Sequence, residues 1–98
     1  MTPFRAQITG WSILESMPPK LLLNLQLASP AISISQTQVT AEGNKINVHL
    51  TTRDSGKIAA AVLVDTTSEV SLPSEMVKSG TMIEMYVDGE CQKTHAIP

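Results

Sequence analysis

Two histidines, one cysteine and nine carboxylates are the residues of this chain best suited to chemistry. A cysteine nucleophile needs an imidazole within hydrogen-bond reach. Cys91 and His95 are four residues apart on one alternating segment, so they stand about 13 Å apart at roughly 3.3 Å per strand residue. They cannot pair directly. Cys91 meets His49 only if their strands are neighbours. A metal site built from His49, Cys91 and His95 lacks any close-spaced pair of ligands. Asp65 and Glu69 bracket Thr66-Thr67-Ser68, read as a polar loop rich in oxygen ligands, but without the dense Asp/Asn/Gly pattern of a calcium loop. Asp88 and Glu90 flank a tight turn and are explained by turn chemistry. The five glycines form no phosphate-cradling motif. The expectation is a chain that is not an enzyme, with no catalytic residue, no metal and no cofactor.

The elements that carry these residues are strands. Val, Ile and Thr supply 25 of the 98 residues, and branching at Cβ suits a pleated strand. The length allows one core, so residues 1–98 are read as a single domain. Charged residues make up only 16% and the net charge is −2. The seven Lys and Arg side chains form no cluster, and aromatics are limited to Phe4, Trp11 and Tyr86. Phosphate binding needs several cations on one face, and base stacking needs aromatic platforms. Both arguments stand against a nucleic-acid partner. One cysteine rules out an intrachain disulfide. The longest apolar runs, Leu21 to Leu23 and Ile58 to Val64, fall far short of the roughly 20 residues that span a bilayer. No basic segment followed by an apolar one opens the chain. The expectation is a soluble protein, cytoplasmic by default, or virion-borne or exported if this is an excised domain.

Hydrophobic residues recur at period 2. Phe4, Ala6 and Ile8 share a phase, which flips after Gly10 to Trp11 and Ile13; an extra residue at a glycine predicts a bulge. Leu21, Leu23, Leu25 and Leu27 form the clearest one-sided strand. Ile32 and Ile34 begin a third, with a kink near Gln36. Glu42-Gly43-Asn44 is a turn, after which Ile46, Val48 and Leu50 alternate. Asp54-Ser55-Gly56 is read as a hairpin loop, and Ile58 to Val64 as a central strand. Val70 and Leu72 form a short strand. Pro73 to Lys78 suits one helical turn. Ile83, Met85 and Val87 form the next strand, and Cys91 to Ile97 return after Asp88-Gly89, a two-residue hairpin signal.

Counting outward from Asp88-Gly89 pairs Val87 with Glu90, Tyr86 with Cys91, Met85 with Gln92 and Glu84 with Lys93. Ile83, Met85, Val87 and Ala96 are then expected to face the core. Met82, Tyr86, Cys91, His95 and Ile97 are the candidate protein-contact face, because paired residues share a side of the sheet and this side is more apolar than a solvated face needs.

The segment Ile32 to Leu50, ISISQTQVTAEGNKINVHL, resembles the bacterial Ig-like (invasin-type) pattern. Ile83 to Thr94, IEMYVDGECQKT, is similar to the hairpin that ends such modules. Together they cover about a third of the chain. The resemblance implies a spacer or adhesion module of surface or virion proteins, without catalytic residues. Leu72-Pro73 through Gly80 into Met82 to Val87 is also similar to the strand entry of small barrels such as OB-folds and PilZ-type domains. The latter bind a cyclic dinucleotide through R-x-x-x-R, whereas the arginines here are Arg5 and Arg53.

The expected fold is therefore all-β, an antiparallel Ig-like sandwich of seven or eight strands, with a small OB-like or PilZ-like barrel as the alternative. The expected function is a non-catalytic protein-interaction or structural module, a domain or subunit of a larger bacterial or phage assembly. Its partner would be another protein or its own copy. The alternative function is a small barrel binding a ligand or single-stranded nucleic acid in a groove.

Overall fold

A computed structural model describes residues 5–57 and 62–98. Among these residues seven strands run in order: β1 (Ala6–Leu14), β2 (Lys20–Leu27), β3 (Ile32–Glu42), β4 (Lys45–Asp54), β5 (Val64–Ser71), β6 (Met82–Val87) and β7 (Glu90–Ala96), with one 3₁₀ turn at Ser74–Met76. They form a three-stranded sheet, β1-β2-β5, and a four-stranded sheet, β3-β4-β6-β7. The protein is an all-β sandwich. The barrel alternative does not form among the described residues, because each sheet ends on unpaired strands instead of closing on itself.

The leucine row of β2 explains the layering. Leu21, Leu23, Leu25 and Leu27 are all buried, while Asn24 between them is exposed. They face Ile46, Val48 and Leu50 of β4 and Ile83, Met85 and Val87 of β6, all buried in one cluster. Two alternating faces of this kind remove water only by stacking on each other. The phase flip in β1 is a bulge: the register jumps between Ile8 and Gly10, leaving Thr9 without a partner. Ala6 and Ile8 before it and Trp11 and Ile13 after it thereby all join the core cluster or pack against it. A second register shift, between Ile34 and Gln36 in β3, accounts for the kink expected there.

The turns follow their sequences. Glu42 pairs with Lys45 around Gly43-Asn44, with Gly43 at φ +61 as the first loop residue, the position a type II′ hairpin reserves for glycine. Asp88 and Gly89 take φ +50 and +82, the two positive values of a type I′ turn. Asp88 also reaches across to β4. Its Oδ1 accepts the Thr52 N–H at 2.9 Å and its Oδ2 accepts the Thr52 hydroxyl at 2.6 Å.

Several expectations are corrected. The four-stranded sheet is mixed and not purely antiparallel, since β4 and β6 run parallel. Asp54-Ser55-Gly56 does turn, with the Gly56 N–H donating to Asp54 Oδ1 at 2.9 Å. Among the described residues the strand that follows it is β5, which lies in the other sheet and is no hairpin partner of β4. Of the expected central strand Ile58 to Val64, residues 58–61 lie outside the described residues. Val62 and Leu63 are exposed and outside any strand, and Val64 begins β5. Asp65 to Glu69 is not a loop. It lies within β5, where Glu69 pairs with Lys20 at 2.6 Å.

Leu23 is fully buried at the centre of its row, so Leu23→Ala is expected to cost about 2–5 kcal/mol. Thr81 is 1% exposed and its hydroxyl has no partner. Thr81→Val, which keeps the shape and removes that hydroxyl, is expected to be neutral or stabilising. Urea unfolding with an unchanged m-value checks both.

Candidate functional site

The candidate contact face divides into two places. Tyr86 pairs with Cys91 as expected, but the register then shifts between Met85 and Tyr86. Gln92 is the extra residue. Lys93 consequently lies opposite Met85, Thr94 opposite Glu84, His95 opposite Ile83 and Ala96 opposite Met82. Met82, Tyr86 and Cys91 stay on the outer side of the four-stranded sheet. His95 turns to the side of Ile83, which is fully buried, and Ile97 packs against the core. Ala96, expected inside, is exposed. The pairing of Glu84 with Lys93 is likewise replaced: the ion partner of Glu84 is Lys45, at 3.2 Å.

The bulge has an identifiable cause. The Gln92 side chain points at the edge of β1, where its Oε1 accepts the Ile8 N–H and its Nε2 donates to the Ala6 carbonyl, both at 2.8 Å. One amide thus does for β1 what a neighbouring strand would do. It satisfies a donor and an acceptor two residues apart and ties the two sheets along their β1–β7 side.

On that side the turned residues build a groove of about 350 Å³ lined by Trp11, Ile13, Glu15, Val77, His95 and Ile97, among others. The Trp11 and His95 rings meet edge to face with centroids 5.9 Å apart, an arrangement favoured by the ring quadrupole. A second concavity with Glu15, Met17, Pro19 and Val77 adjoins it, sharing Glu15 and Val77. Met17 is 93% exposed and Leu14 43%. The groove is thus continued by the apolar Met17 side chain in water. Trp11 and Ile13 were legible as strand residues, but their meeting with His95 depends on the Gln92 bulge.

The outer side of the four-stranded sheet is polar. Because β4 neighbours β6, His49 lies beside Tyr86, their rings stacked with centroids 4.7 Å apart and planes 16° apart. Tyr86 therefore separates His49 from Cys91 across the sheet, and the pairing of thiol and imidazole is not made. Cys91 is exposed, with its Sγ near the Thr94 hydroxyl at 3.8 Å. Glu84 joins the strands: it accepts the Tyr86 hydroxyl on one oxygen and the Lys45 ammonium on the other. Among the described residues no three His, Cys, Asp or Glu side chains group closely enough to hold a metal ion. Among the described residues no helix is long and apolar enough to cross a membrane.

Comparison of the chain with protein-family models, curated proteins and solved structures finds no match.

The Tyr86–Glu84 contact has a titration signature. Donation to the carboxylate, aided by partial burial, pushes the Tyr86 phenol up to about 12. The Tyr86 hydroxyl and then Lys45 hold the Glu84 carboxyl below its ordinary range. The raised tyrosine contributes stability that is present below pH 10 and lost as pH rises towards 12. The lowered carboxyl contributes above its ordinary range and is lost as pH falls through its folded value. Tyr86 is the sole tyrosine, so ultraviolet titration reads it alone. The expected midpoint lies near 12 in the native protein and falls towards the ordinary tyrosine value in Glu84→Gln.

Proposed function

We propose that this chain is a non-catalytic protein-interaction module, a domain or subunit of a larger bacterial or phage assembly, that takes an apolar side chain of its partner into the Trp11–His95 groove. The observation that carries this reading is the groove itself. Its walls hold the sole tryptophan, Ile13, Val77 and Ile97 half-exposed around a concavity, with the exposed Met17 in the adjoining one. Tryptophan in a partly enclosed pocket is the residue type most often found to dominate binding energy at protein interfaces. A scattered surface methionine needs no explanation, but here Met17 lines a concavity that adjoins the groove. His95 and Ile97 of the candidate contact face belong to this groove. Met82, Tyr86 and Cys91 belong to the polar outer sheet, which the Glu84 bonds already engage.

The non-catalytic reading is supported by the separation of His49 from Cys91 and by the structural occupation of Glu84 and Asp88. The kinship with bacterial Ig-like modules is part of this proposal. A three-over-four sandwich ending in the Asp88-Gly89 hairpin agrees with it. The parallel contact of β4 with β6 departs from the two antiparallel sheets of that fold.

A random-peptide library panned on the immobilised protein provides the test, with Trp11 emission as the reporter. The account expects enriched peptides that carry an aromatic or large aliphatic anchor and shift Trp11 emission. It expects Val77→Ser, with an unchanged circular dichroism spectrum, to weaken them about tenfold, the order seen for truncating one well-packed apolar contact of ~1.4 kcal/mol. Peptides that bind without changing Trp11 emission, or no enrichment at all, would sink the reading.

A further inference from the structure

On the side of the sandwich away from the groove, two strand edges are unpaired among the described residues. β3 and β5 are the outer strands of their sheets there, and a cleft of about 410 Å³ lies between them, lined by Ser33, Ser35, Thr37, Thr66 and Ser68 among others. Unpaired strand edges invite another strand, and soluble proteins commonly block them with charge, proline or a bulge. The four edges here differ in this respect. β1 is occupied by Gln92. β7 carries Glu90 and Lys93 and is bulged. β5 carries Asp65 and Glu69, which would oppose each other if β5 paired antiparallel with its own copy about Thr67. In β3 a bulge at Ser35, whose hydroxyl donates to the Thr51 carbonyl at 3.1 Å, blocks only the first part. From Gln36 to Glu42 the edge has no proline, and its one charged residue is the last.

We propose that this stretch of β3 pairs antiparallel with β3 of a second copy, about a two-fold axis through Val39, joining the two four-stranded sheets into one of eight. The sequence is self-complementary in that register. Val39 meets Val39 of the copy on the inner side, and Thr37 meets Ala41 beside it, lengthening the apolar seam that Val39 already makes with the core. On the outer side Gln38 meets Thr40 and Gln36 meets Glu42, so no like charges are opposed. An isologous contact of this kind closes at two copies and cannot run on into a filament through the same edge. Seven residues of edge bury less than the roughly 1,200 Å² of a standard interface, so the dimer is weak and concentration-dependent. This pairing is a second surface of the interaction module, on the side opposite Trp11, and does not depend on the groove.

Sedimentation velocity of the full chain over a range of concentrations tests it with two charge variants. Gln38→Lys with Thr40→Lys sets lysine against lysine at both symmetric positions and is expected to weaken the dimer about tenfold. Gln38→Lys with Thr40→Glu sets opposite charges together in the same register and is expected to dimerise at least as tightly as the native chain at low salt, and less tightly at high salt. A native chain that stays monomeric throughout overturns the proposal. Equal weakening by both variants also overturns it, because the contact then has another register or another surface. Trp11 emission reports the groove separately, so failure of either surface is distinguishable from failure of the other.

Discussion

Stacking two sheets buries their inner faces but leaves the strand edges at the flanks unsatisfied, and here one glutamine ties one flank. The inner rows of β2, β4 and β6 bury face to face, but burial of that kind says nothing about the strand edges. Gln92 meets the Ala6 carbonyl and the Ile8 N–H with a single amide. Each such bond contributes about 0.5–1.5 kcal/mol net, and an unmade one at a buried edge costs more. The geometry has a consequence further along the chain. To aim Gln92 at β1, β7 must bulge, and the bulge moves every later residue by one position. A one-residue slip exchanges the faces of a strand. His95 therefore turns from the outer sheet to the sandwich flank and meets Trp11. The groove proposed for partner binding is a by-product of how the flank is sealed.

The opposite flank has no such seal among the described residues. The two flanks thus divide the work: one is tied by a polar clamp and offers a shaped groove, the other presents edges. The outer side of the four-stranded sheet has a third role. Glu84 collects the Lys45 ammonium from β4 and the Tyr86 hydroxyl from its own strand. Asp88 performs a comparable task at the end of the β4–β6 contact, holding the backbone and hydroxyl of Thr52. Parallel strands cannot be joined by a tight hairpin, so these side-chain ties reinforce a contact that no local turn enforces.

Which features the sequence showed depends on how local their causes are. The leucine row of β2 was legible because period 2 assigns all four side chains to one face. The bulge in β1 was legible because Gly10 marked it and the apolar phase flipped around it. The Asp88-Gly89 turn was legible because few residue types accept two positive φ values. The bulge at Gln92 was not. Glutamine is unremarkable in a strand, and its reason for leaving the register lies on β1, more than 80 residues away. The parallel β4–β6 contact was hidden for a similar reason, since no hairpin announces it. β5 was read in part as a loop because Thr66-Thr67-Ser68 is polar on both faces. Yet β-branched threonines suit an edge strand whose outer side is wet. The five residues of the contact face lie in two places and not one, a direct result of the unseen shift in β7.

Residue-resolved hydrogen exchange addresses the clamp directly. The Ile8 amide sits on the edge of β1 and has the Gln92 side chain as its acceptor. In the native protein it is expected to exchange slowly, alongside the inner amides of β2. In Gln92→Ala it is expected to exchange rapidly while the amides of β2 stay protected, with Trp11 emission shifting as His95 is released. An Ile8 amide that exchanges freely in the native chain, or one whose protection survives Gln92→Ala, would contradict the account of how this sandwich closes.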